Sequence, residues 1–310
     1  MRRGQAGGTF STRNDNTSTR NEDDKGTTTM TLHKWIGAPL LTTLACSTPA
    51  LAADYSGGIH ENDYKWMSFN LMRSEDNRLP FRNAEDTYVE MEFGGRSGIV
   101  DLYGYVDFFD VLSDSSDDAS EGDNMFAKLA PRFSLDAITG HDLSVGPVKE
   151  WYIATVTNIG DYGPAGGLWE HYVGLGSDIE MPWFGKMGLN LTARYVRENY
   201  GGPDEGSWDG YMASTNWFKP FYTFGNGSYF AYQGYLDYKF GADTVGDQAG
   251  RSHNSLEWFN GFYYHTDRYA IGYGLKIYNN MAFWEDGTTV AGARQDTSGP
   301  GHYFSINYKF

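Results

Sequence analysis

The chain ends in GHYFSINYKF, residues 301–310. From residue 304 onward, large apolar residues alternate with polar ones, which is typical of a β-strand with one apolar face and one wet face. The termini of soluble proteins are usually frayed and polar, so a final aromatic residue inside a strand is unusual. The ending therefore raises the question of what the apolar face contacts. That face comprises Phe304, Ile306, Tyr308 and Phe310.

The same two-residue alternation recurs along the chain from Asp63 onward. It is clearest in KMGLNLTARYV, residues 186–196, and no segment shows a sustained helical period. Pro131 and Pro220 lie inside two of the predicted strands, where each removes a hydrogen-bond donor from the ladder. The predicted strands are 63–73, 86–93, 99–112, 124–137, 147–158, 168–181, 186–199, 210–224, 228–240, 252–264, 268–278 and 303–310.

The connections between these strands alternate between long and short. The second, sixth, eighth and tenth are the tight turns GGRSG, PWFG, GNG and HTD, whereas the odd-numbered ones are longer and mostly acidic. Transmembrane β-barrels combine short periplasmic turns, long outer loops, an even strand number and spans of about ten alternating residues. The pattern predicts an all-β fold, a single antiparallel transmembrane β-barrel of twelve strands in the outer membrane of a Gram-negative bacterium.

A secreted β-sandwich or jelly roll is the alternative fold, because its strands also alternate. The placement of aromatic residues near strand ends favours the barrel, since Trp and Tyr form girdles at both membrane boundaries. The residues assigned to these girdles are Trp66, Phe69, Tyr88, Phe93, Tyr103, Phe108, Trp151, Trp169, Trp183, Tyr195, Trp217, Trp258, Tyr264 and Tyr269.

Composition excludes several other classes of protein. The mean hydropathy is -0.54, and the strand-bearing part has no apolar run of the roughly 18 residues that a membrane helix needs. The formal net charge of -16 opposes nucleic-acid binding by phosphate neutralisation. The single cysteine, Cys46, precludes an internal disulfide.

The N-terminal part predicts export. Residues 30–52, MTLHKWIGAPLLTTLACSTPALA, have a basic Lys34, an apolar middle and a small-residue end. This is typical of a signal peptide cleaved between Ala52 and Ala53, and the alternative is a lipoprotein cleaved before Cys46. Residues 1–29 are polar and lie upstream of the signal peptide, so we expect translation to begin at Met30. The barrel would then comprise residues 53–310.

Three stretches resemble a known family. IHENDYKWMSFNLM (59–72), YVEMEFGGRSGIVDLYGYVDFFDV (88–111) and HYFSINYKF (302–310) are similar to the Tsx-like family of nucleoside-specific outer-membrane channels, and most of all to its OmpK branch from Vibrio-type bacteria. The resemblance implies a monomeric twelve-stranded barrel that conducts nucleosides or other small solutes by diffusion. It also implies outer loops that serve some members as a bacteriophage receptor. A final strand ending in Ile306, Tyr308 and Phe310 resembles the signal that the barrel assembly machinery recognises.

If the apolar faces meet lipid, the polar faces line the lumen. A nucleoside site needs aromatic faces for the base and polar groups for the ribose, and Tyr103 and Tyr105 lie beside Asp101 and Asp107. The alternative is structural, because opposite charges in a narrow lumen also pair and fill the barrel. The candidate solute-path residues are Trp66, Glu90, Asp101, Tyr103, Tyr105, Asp107, Lys128, Arg132, Arg194, Asp237, Glu257 and Lys276.

Other motifs indicate no cofactor and no metal. SDSSDDASEGD, residues 113–123, lacks the spaced aspartates and the late Glu of a calcium loop, so it predicts a solvated outer loop. Loose divalent cations on such an acidic rim would bridge it to anionic lipopolysaccharide. No Gly-x-Ser-x-Gly motif occurs, and we expect no enzyme. The function predicted is a passive channel, with a structural or adhesion barrel and a barrel hydrolase as alternatives.

Overall fold

The structure is a computed structural model, and it describes residues 54–81, 84–109, 111, 125–160 and 166–310. The predicted signal peptide, its Ala52/Ala53 cleavage site and the acidic loop at 113–123 lie outside these residues. None of the helices in the described part of the chain is both long and apolar enough to cross a membrane.

Twelve antiparallel strands close into one barrel, as the alternation predicts. Each strand pairs with its neighbours along the chain, and β1 pairs with β14 to close the ring. A two-residue hairpin, β12 (Thr289–Val290) with β13 (Ala293–Arg294), lies in the last connection and does not join the barrel. The barrel strands are β1 (Tyr64–Asn77), β2 (Ala84–Ser97), β3 (Val100–Phe108), β4 (Met125–Ser134), β5 (Val148–Gly160), β6 (Leu168–Met181), β7 (Gly185–Asn199), β8 (Ser207–Thr223), β9 (Tyr229–Phe240), β10 (Asn254–His265), β11 (Tyr269–Asn279) and β14 (Gly299–Lys309).

Short helices interrupt two connections where continuous strand or loop was predicted. The strand predicted over 124–137 ends at Ser134, whose side chain accepts a hydrogen bond from the Ala137 N–H and so caps α1 (Leu135–Thr139). A second helix, α2 (Asp243–Gly246), follows β9. A 3-10 turn at Met281–Phe283 follows β11.

The two prolines are accommodated inside their strands. Pro131 remains in β4, where Thr155 donates its hydroxyl hydrogen to the Pro131 carbonyl at 2.7 Å. Pro220 lies in β8 beside a register shift between Pro220 and Tyr222. A register shift thus accompanies Pro220, whereas β4 keeps its register at Pro131, and neither proline ends its strand.

The outward face is apolar and exposed. Leu71, Ile306 and Ile271 pair across three adjacent strands, and their side chains are 45%, 55% and 58% exposed. A contiguous apolar surface of this kind is unusual for a soluble monomer and suits contact with lipid. The polar partner Ser305 lies between Phe304 and Ile306 and is buried in the barrel.

Three of the aromatic residues assigned to the girdles face inward instead. Trp66, Tyr88 and Tyr103 share the register face of the buried polar residues Asn70 and Asp107. The girdle assignment used position along a strand, but that position does not determine the face, which follows from two-residue parity. These three rings therefore belong to the lumen.

Candidate functional site

The candidate site is the lumen, and all twelve predicted solute-path residues lie on its wall. Strand register places them on one face, because Asp101 pairs with Arg132, Tyr105 with Lys128, and Glu257 with Asp237. Alternate residues of neighbouring strands share this face. Contacts between strands that are not neighbours show that this face is the inner one.

The most informative of these contacts crosses the barrel. The Lys128 ammonium on β4 lies 2.8 Å from the Asp237 carboxylate on β9. Four strands separate β4 from β9 on one side of the ring and six on the other, so the pair spans nearly the full width of the lumen. Next to it on β9, Lys239 lies 3.6 Å from Glu170 on β6. We call Lys128, Asp237, Lys239 and Glu170 the fence.

On one side of the fence the lumen is filled. We call this side, bounded by the inner faces of β5 to β8, the closed segment. Val156, Tyr172 and Met212 form a packed apolar cluster there, and the Tyr172 hydroxyl donates to Glu170 at 2.9 Å. The buried inward side chains along this wall include Ala154, Val156, Asn158, Glu170, Tyr172, Asp178, Thr192, Arg194, Met212 and Ser214.

Arg194 lies at the outer end of the closed segment. Its guanidinium donates to Glu170 at 2.7 Å and to Asp204, in the connection after β7, at 3.1 Å. The ring of Phe283, in the connection after β11, lies 4.8 Å from the guanidinium carbon. The Arg194 side chain is only 1% exposed. The structure therefore places this predicted solute-path residue beneath two outer connections, among protein groups.

Arg132 lies at the inner end of the same segment. It donates to Asp101 at 2.7 Å and to Asp178 at 2.9 Å, and its guanidinium carbon lies 4.1 Å from the centre of the Tyr152 ring. Lys186 adds a second cation 2.7 Å from Asp178. These charged side chains pair with one another. This agrees with the structural alternative, in which opposite charges in the lumen form ion pairs that fill the barrel.

On the other side of the fence a row of aromatic rings lines the wall. We call this side, bounded by β1 to β3, β10, β11 and β14, the open segment. Ring centres are 6.3 Å apart for Trp66 and Tyr103, 6.2 Å for Tyr103 and Tyr105, and 6.0 Å for Tyr105 and Phe126. Trp66 and Tyr103 are each 38% exposed. The row therefore presents accessible ring surface to the lumen.

A second aromatic group lies on β9, β10 and β14. The rings of Tyr235 and Phe259 stack with centres 5.8 Å apart, and Phe259 contacts Tyr303 edge to face at 5.9 Å. Phe259 lies against Gly274, where a β-carbon would overlap its ring. A glycine behind the ring lets it lie flat on the wall instead of projecting across the lumen.

Hydrogen-bond acceptors lie beside the aromatic row. Asn70 donates to Glu90 at 2.7 Å and to Glu92 at 3.4 Å, and the Tyr103 hydroxyl donates to Glu92 at 3.0 Å. Asp107 on β3 pairs directly with Glu90 on β2 and lies on the same face. Aromatic faces and carboxylate oxygens therefore line the same part of the open segment.

One lysine provides positive charge opposite this acceptor group. The Lys276 ammonium lies 2.6 Å from Glu257 on the neighbouring strand. It also lies 4.8 Å from the Tyr278 ring centre and 5.8 Å from that of Tyr235. The cation is therefore held by a carboxylate and by aromatic faces on one wall.

Several side chains that line the lumen were not among the predicted solute-path residues. Phe126, Tyr235 and Phe259 follow from two-residue parity with Lys128, Asp237 and Glu257, so the signal was present. Glu170 and Lys239 share the inner face of their strands by the same rule. Their joining across the lumen depends on barrel geometry, which a local pattern does not encode.

The inner mouth is tied to the segment that precedes β1. Tyr55 donates its hydroxyl hydrogen to Glu150 at 2.5 Å, and Arg96 contacts both Tyr55 and Glu150. Burial, reinforced by the Glu150 carboxylate, raises the pKa of Tyr55 to about 12. Tyr55 is therefore a neutral donor at physiological pH.

The outer mouth carries a stacked arginine. Arg251, in the connection after β9, lies 4.0 Å from the centre of the Trp284 ring and donates to the carbonyls of Ala282 and Phe283. Burial lowers the pKa of Arg251 to about 10, so it remains a cation at neutral pH. It holds the turn that carries Phe283 towards Arg194.

No catalytic arrangement is visible in the hydrogen bonds of three histidines. His171 pairs with Thr157 at 3.0 Å, His302 with Tyr273 at 2.8 Å, and His253 with Asp243 at 3.2 Å. Serine and cysteine take no part in these three pairs. Within the described ranges, no group of three or more His, Cys, Asp or Glu side chains is arranged to hold a metal ion.

Comparison with known proteins gives consistent matches. A family model described as "Nucleoside-specific channel-forming protein, Tsx" matches residues 61–310. Outer membrane protein OmpK of Vibrio parahaemolyticus is 49% identical over 268 residues, which cover 86% of this chain and 95% of that protein. The nucleoside-specific channel-forming protein Tsx of Salmonella typhimurium is 31% identical over 278 residues, covering 86% of this chain and 96% of that protein. The solved NanC porin, 10% identical, covers 79% of this chain and 100% of its own with a TM-score of 0.44.

Proposed function

Because the chain belongs to the family of nucleoside-specific channel-forming proteins, Tsx, we propose that it is an outer-membrane channel through which nucleosides diffuse. The proposal treats the lumen as a passive path in which side chains position and screen the solute. No step of covalent chemistry is part of it, in keeping with the prediction that the chain is not an enzyme.

One observation carries the proposal: the aromatic row and the acceptor group share one wall of the open segment. Trp66, Tyr103 and Tyr105 form a row of rings in which the centres of neighbouring rings are 6.3 Å and 6.2 Å apart. Glu90 and Glu92 offer carboxylate oxygens beside them. A nucleoside has a flat base that stacks on aromatic rings and ribose hydroxyls that donate hydrogen bonds.

The charge arrangement favours a neutral solute. Lys128, Arg132 and Lys276 each have a carboxylate within 3 Å. A charged solute has to compete with these ion pairs, whereas a neutral nucleoside leaves them intact. Successive weak stacking contacts along the row also allow release, which conduction requires.

Single-channel recording in a planar bilayer tests the proposal. The purified barrel should give stable conductance steps that decrease reversibly when adenosine is added. Ribose alone and adenine alone at the same concentration are the controls, and each should block less than the nucleoside. A barrel that conducts but ignores adenosine would contradict the nucleoside assignment, and a barrel without steps would contradict the channel.

Several other expectations remain proposals. Cleavage between Ala52 and Ala53 is tested by the mass of the mature protein, and the monomeric state by its mass in detergent. Recognition of the last strand by the barrel assembly machinery, lipopolysaccharide contact and phage docking each need a binding measurement with that partner.

A further inference from the structure

We propose that the fence of Lys128, Asp237, Lys239 and Glu170 confines permeating solutes to the open segment, so that only part of the barrel's cross-section conducts. This inference rests on the proposed channel function in treating the lumen as a solute path. It goes further by assigning a specificity role to the ion pair that crosses the lumen, Lys128 with Asp237, and to the neighbouring pair of Lys239 with Glu170. Their role is to position the path, since neither pair needs to contact the solute.

The first ion pair of the fence crosses the lumen. Lys128 and Asp237 meet at 2.8 Å from strands on nearly opposite sides of the ring, so their side chains form a chord across the lumen. Lys239 follows Asp237 by two residues on β9 and reaches Glu170 on β6 at 3.6 Å. Residues two apart on a strand lie about 6 to 7 Å apart along its axis. The second pair spans only β7 and β8, so the two pairs are neighbouring bars that start from β9 and diverge to β4 and β6.

The exposure of the inward side chains differs between parts of the lumen. Tyr172 and Met212 in the closed segment are each 1% exposed. Trp66 and Tyr103 in the open segment are each 38% exposed. Met72, Tyr88 and Tyr303 form a buried cluster elsewhere in the open segment. Water therefore reaches the Trp66 and Tyr103 rings in the open segment, whereas the cluster of Val156, Tyr172 and Met212 fills the closed segment.

Electrostatic attraction holds the fence together. The fence charges are largely withdrawn from water, with side-chain exposures of 17% for Lys128, 11% for Asp237 and 3% for Glu170. Removing one member leaves its partner with an uncompensated charge at low exposure, which is unfavourable. The Lys128 ammonium also lies 5.6 Å from the Tyr235 ring centre. The ion pair with Asp237 and the contact with the Tyr235 ring thus both hold the Lys128 ammonium in place.

The register supplies a matched pair of positions for the test. Tyr105, Lys128 and Asn158 pair in sequence across β3, β4 and β5, so Tyr105 and Asn158 flank the fence lysine. Tyr105 faces the open segment, and Asn158 is buried in the closed one. Cys46 is the only cysteine, so single cysteines can be introduced in a C46A background.

The experiment measures modification of Tyr105→Cys and Asn158→Cys by a methanethiosulfonate reagent. Labelling is followed by the mass of the folded protein in detergent, with folding verified by heat-modifiable migration. We expect Tyr105→Cys to react about tenfold faster or more, because thiol reactivity depends on access. Adding K128A and D237A should accelerate Asn158→Cys and leave Tyr105→Cys little changed. The swap K128D with D237K should restore the difference.

Equal labelling rates at the two positions with the fence intact would overturn the proposal, as would a rate at Asn158→Cys that ignores the K128A and D237A changes. The labelling assay needs neither nucleoside nor current. A barrel that adenosine fails to block, but whose labelling pattern is as expected, would therefore refute the proposed function and leave the fence standing.

Discussion

Arg194 on β7 and Asp204 in the outer connection that follows it form an ion pair 3.1 Å long in which the side chains are 1% and 0% exposed. The same guanidinium binds Glu170 at 2.7 Å and donates to the Asp209 carbonyl at 3.2 Å. The Asp209 carboxylate accepts hydrogen bonds from the first N–H groups of α2. One buried cation therefore joins the barrel wall to two outer connections.

Replacing Arg194 with Gln should destabilise the folded barrel. The change leaves Glu170 and Asp204 buried with less compensation, and breaking a buried ion pair costs about 3 to 5 kcal/mol. Urea unfolding of the reconstituted protein measures the free energy of unfolding. The matched control is Arg197→Gln on the outward face of the same strand, where the pair with Glu198 is exposed and the loss should be below about 1 kcal/mol. Similar losses for the two variants would contradict the anchoring role.

Replacing Tyr103 with Ala should weaken nucleoside block of the channel. Base stacking on one aromatic side chain contributes about 1 to 3 kcal/mol, so the blocking constant should rise by roughly tenfold. The measurement is a titration of single-channel current with adenosine. Tyr211→Ala removes an equally large ring from the outward face of β8, and its blocking constant should match the parent. Unchanged block in Tyr103→Ala would remove this ring from the site.

Gly274→Ala should narrow the lumen. The new methyl group would overlap the Phe259 ring, which then has to swing off the wall. Conductance should fall while the barrel still forms. Gly104→Ala provides the control, because its methyl group would overlap Phe93 on the outward face instead. If the two variants lose conductance equally, the loss reflects a general strand defect and the wall argument fails.

Deleting Phe310 should impair assembly more than conduction. Its ring contacts Phe69 on β1 edge to face at 5.7 Å, and its N–H donates to the Met67 carbonyl at 3.0 Å. We expect a severalfold lower amount in the outer membrane and normal current for each barrel that does form. Phe304→Ala alters an exposed outward ring of the same strand and should leave the amount near normal. Parent-like levels of the truncated chain would refute the prediction.

The hydrogen bond that attaches Asp63, the residue before β1, to the β2–β3 turn should be lost at low pH. The Gly98 N–H donates to the Asp63 carboxylate at 2.8 Å, and this hydrogen bond lowers the pKa of Asp63 below its ordinary value. Because the carboxylate form is favoured in the folded state, the contact is intact above the ordinary pKa and is lost as pH falls through the lowered one.

The chemical shift of the Gly98 amide proton, followed by NMR in micelles from neutral to acid pH, measures this loss. Its midpoint should lie below about 3.9, the usual pKa of Asp. Asp63→Asn should abolish the titration. A midpoint at the ordinary value would show that the hydrogen bond does not form in solution.

Two-residue alternation predicted the twelve barrel strands and the inner face of each, although it extended the fourth strand through residues 135–137, which belong to α1. It placed Glu90 and Lys276 on the inner wall because parity is a local property of a strand. It did not predict that Lys128 meets Asp237, since that contact depends on strand tilt and ring size. Arg194 was read as a path residue for the same reason: its face was visible in the sequence, but the outer connections that cover it were not.

The pairing of β1 with β14 also determines when the barrel can close during folding. Ser68 pairs with Lys309 there, so the first strand made finds its second partner only when the last one is complete. Until then two strand edges stand open, and the long-range closure is entropically slow. A polypeptide that ends before β14 lacks the strand that joins β11 to β1 in the closed barrel. A chain that lacks β14 therefore leaves the edges of β1 and β11 unpaired, and unpaired strand edges favour association with other chains.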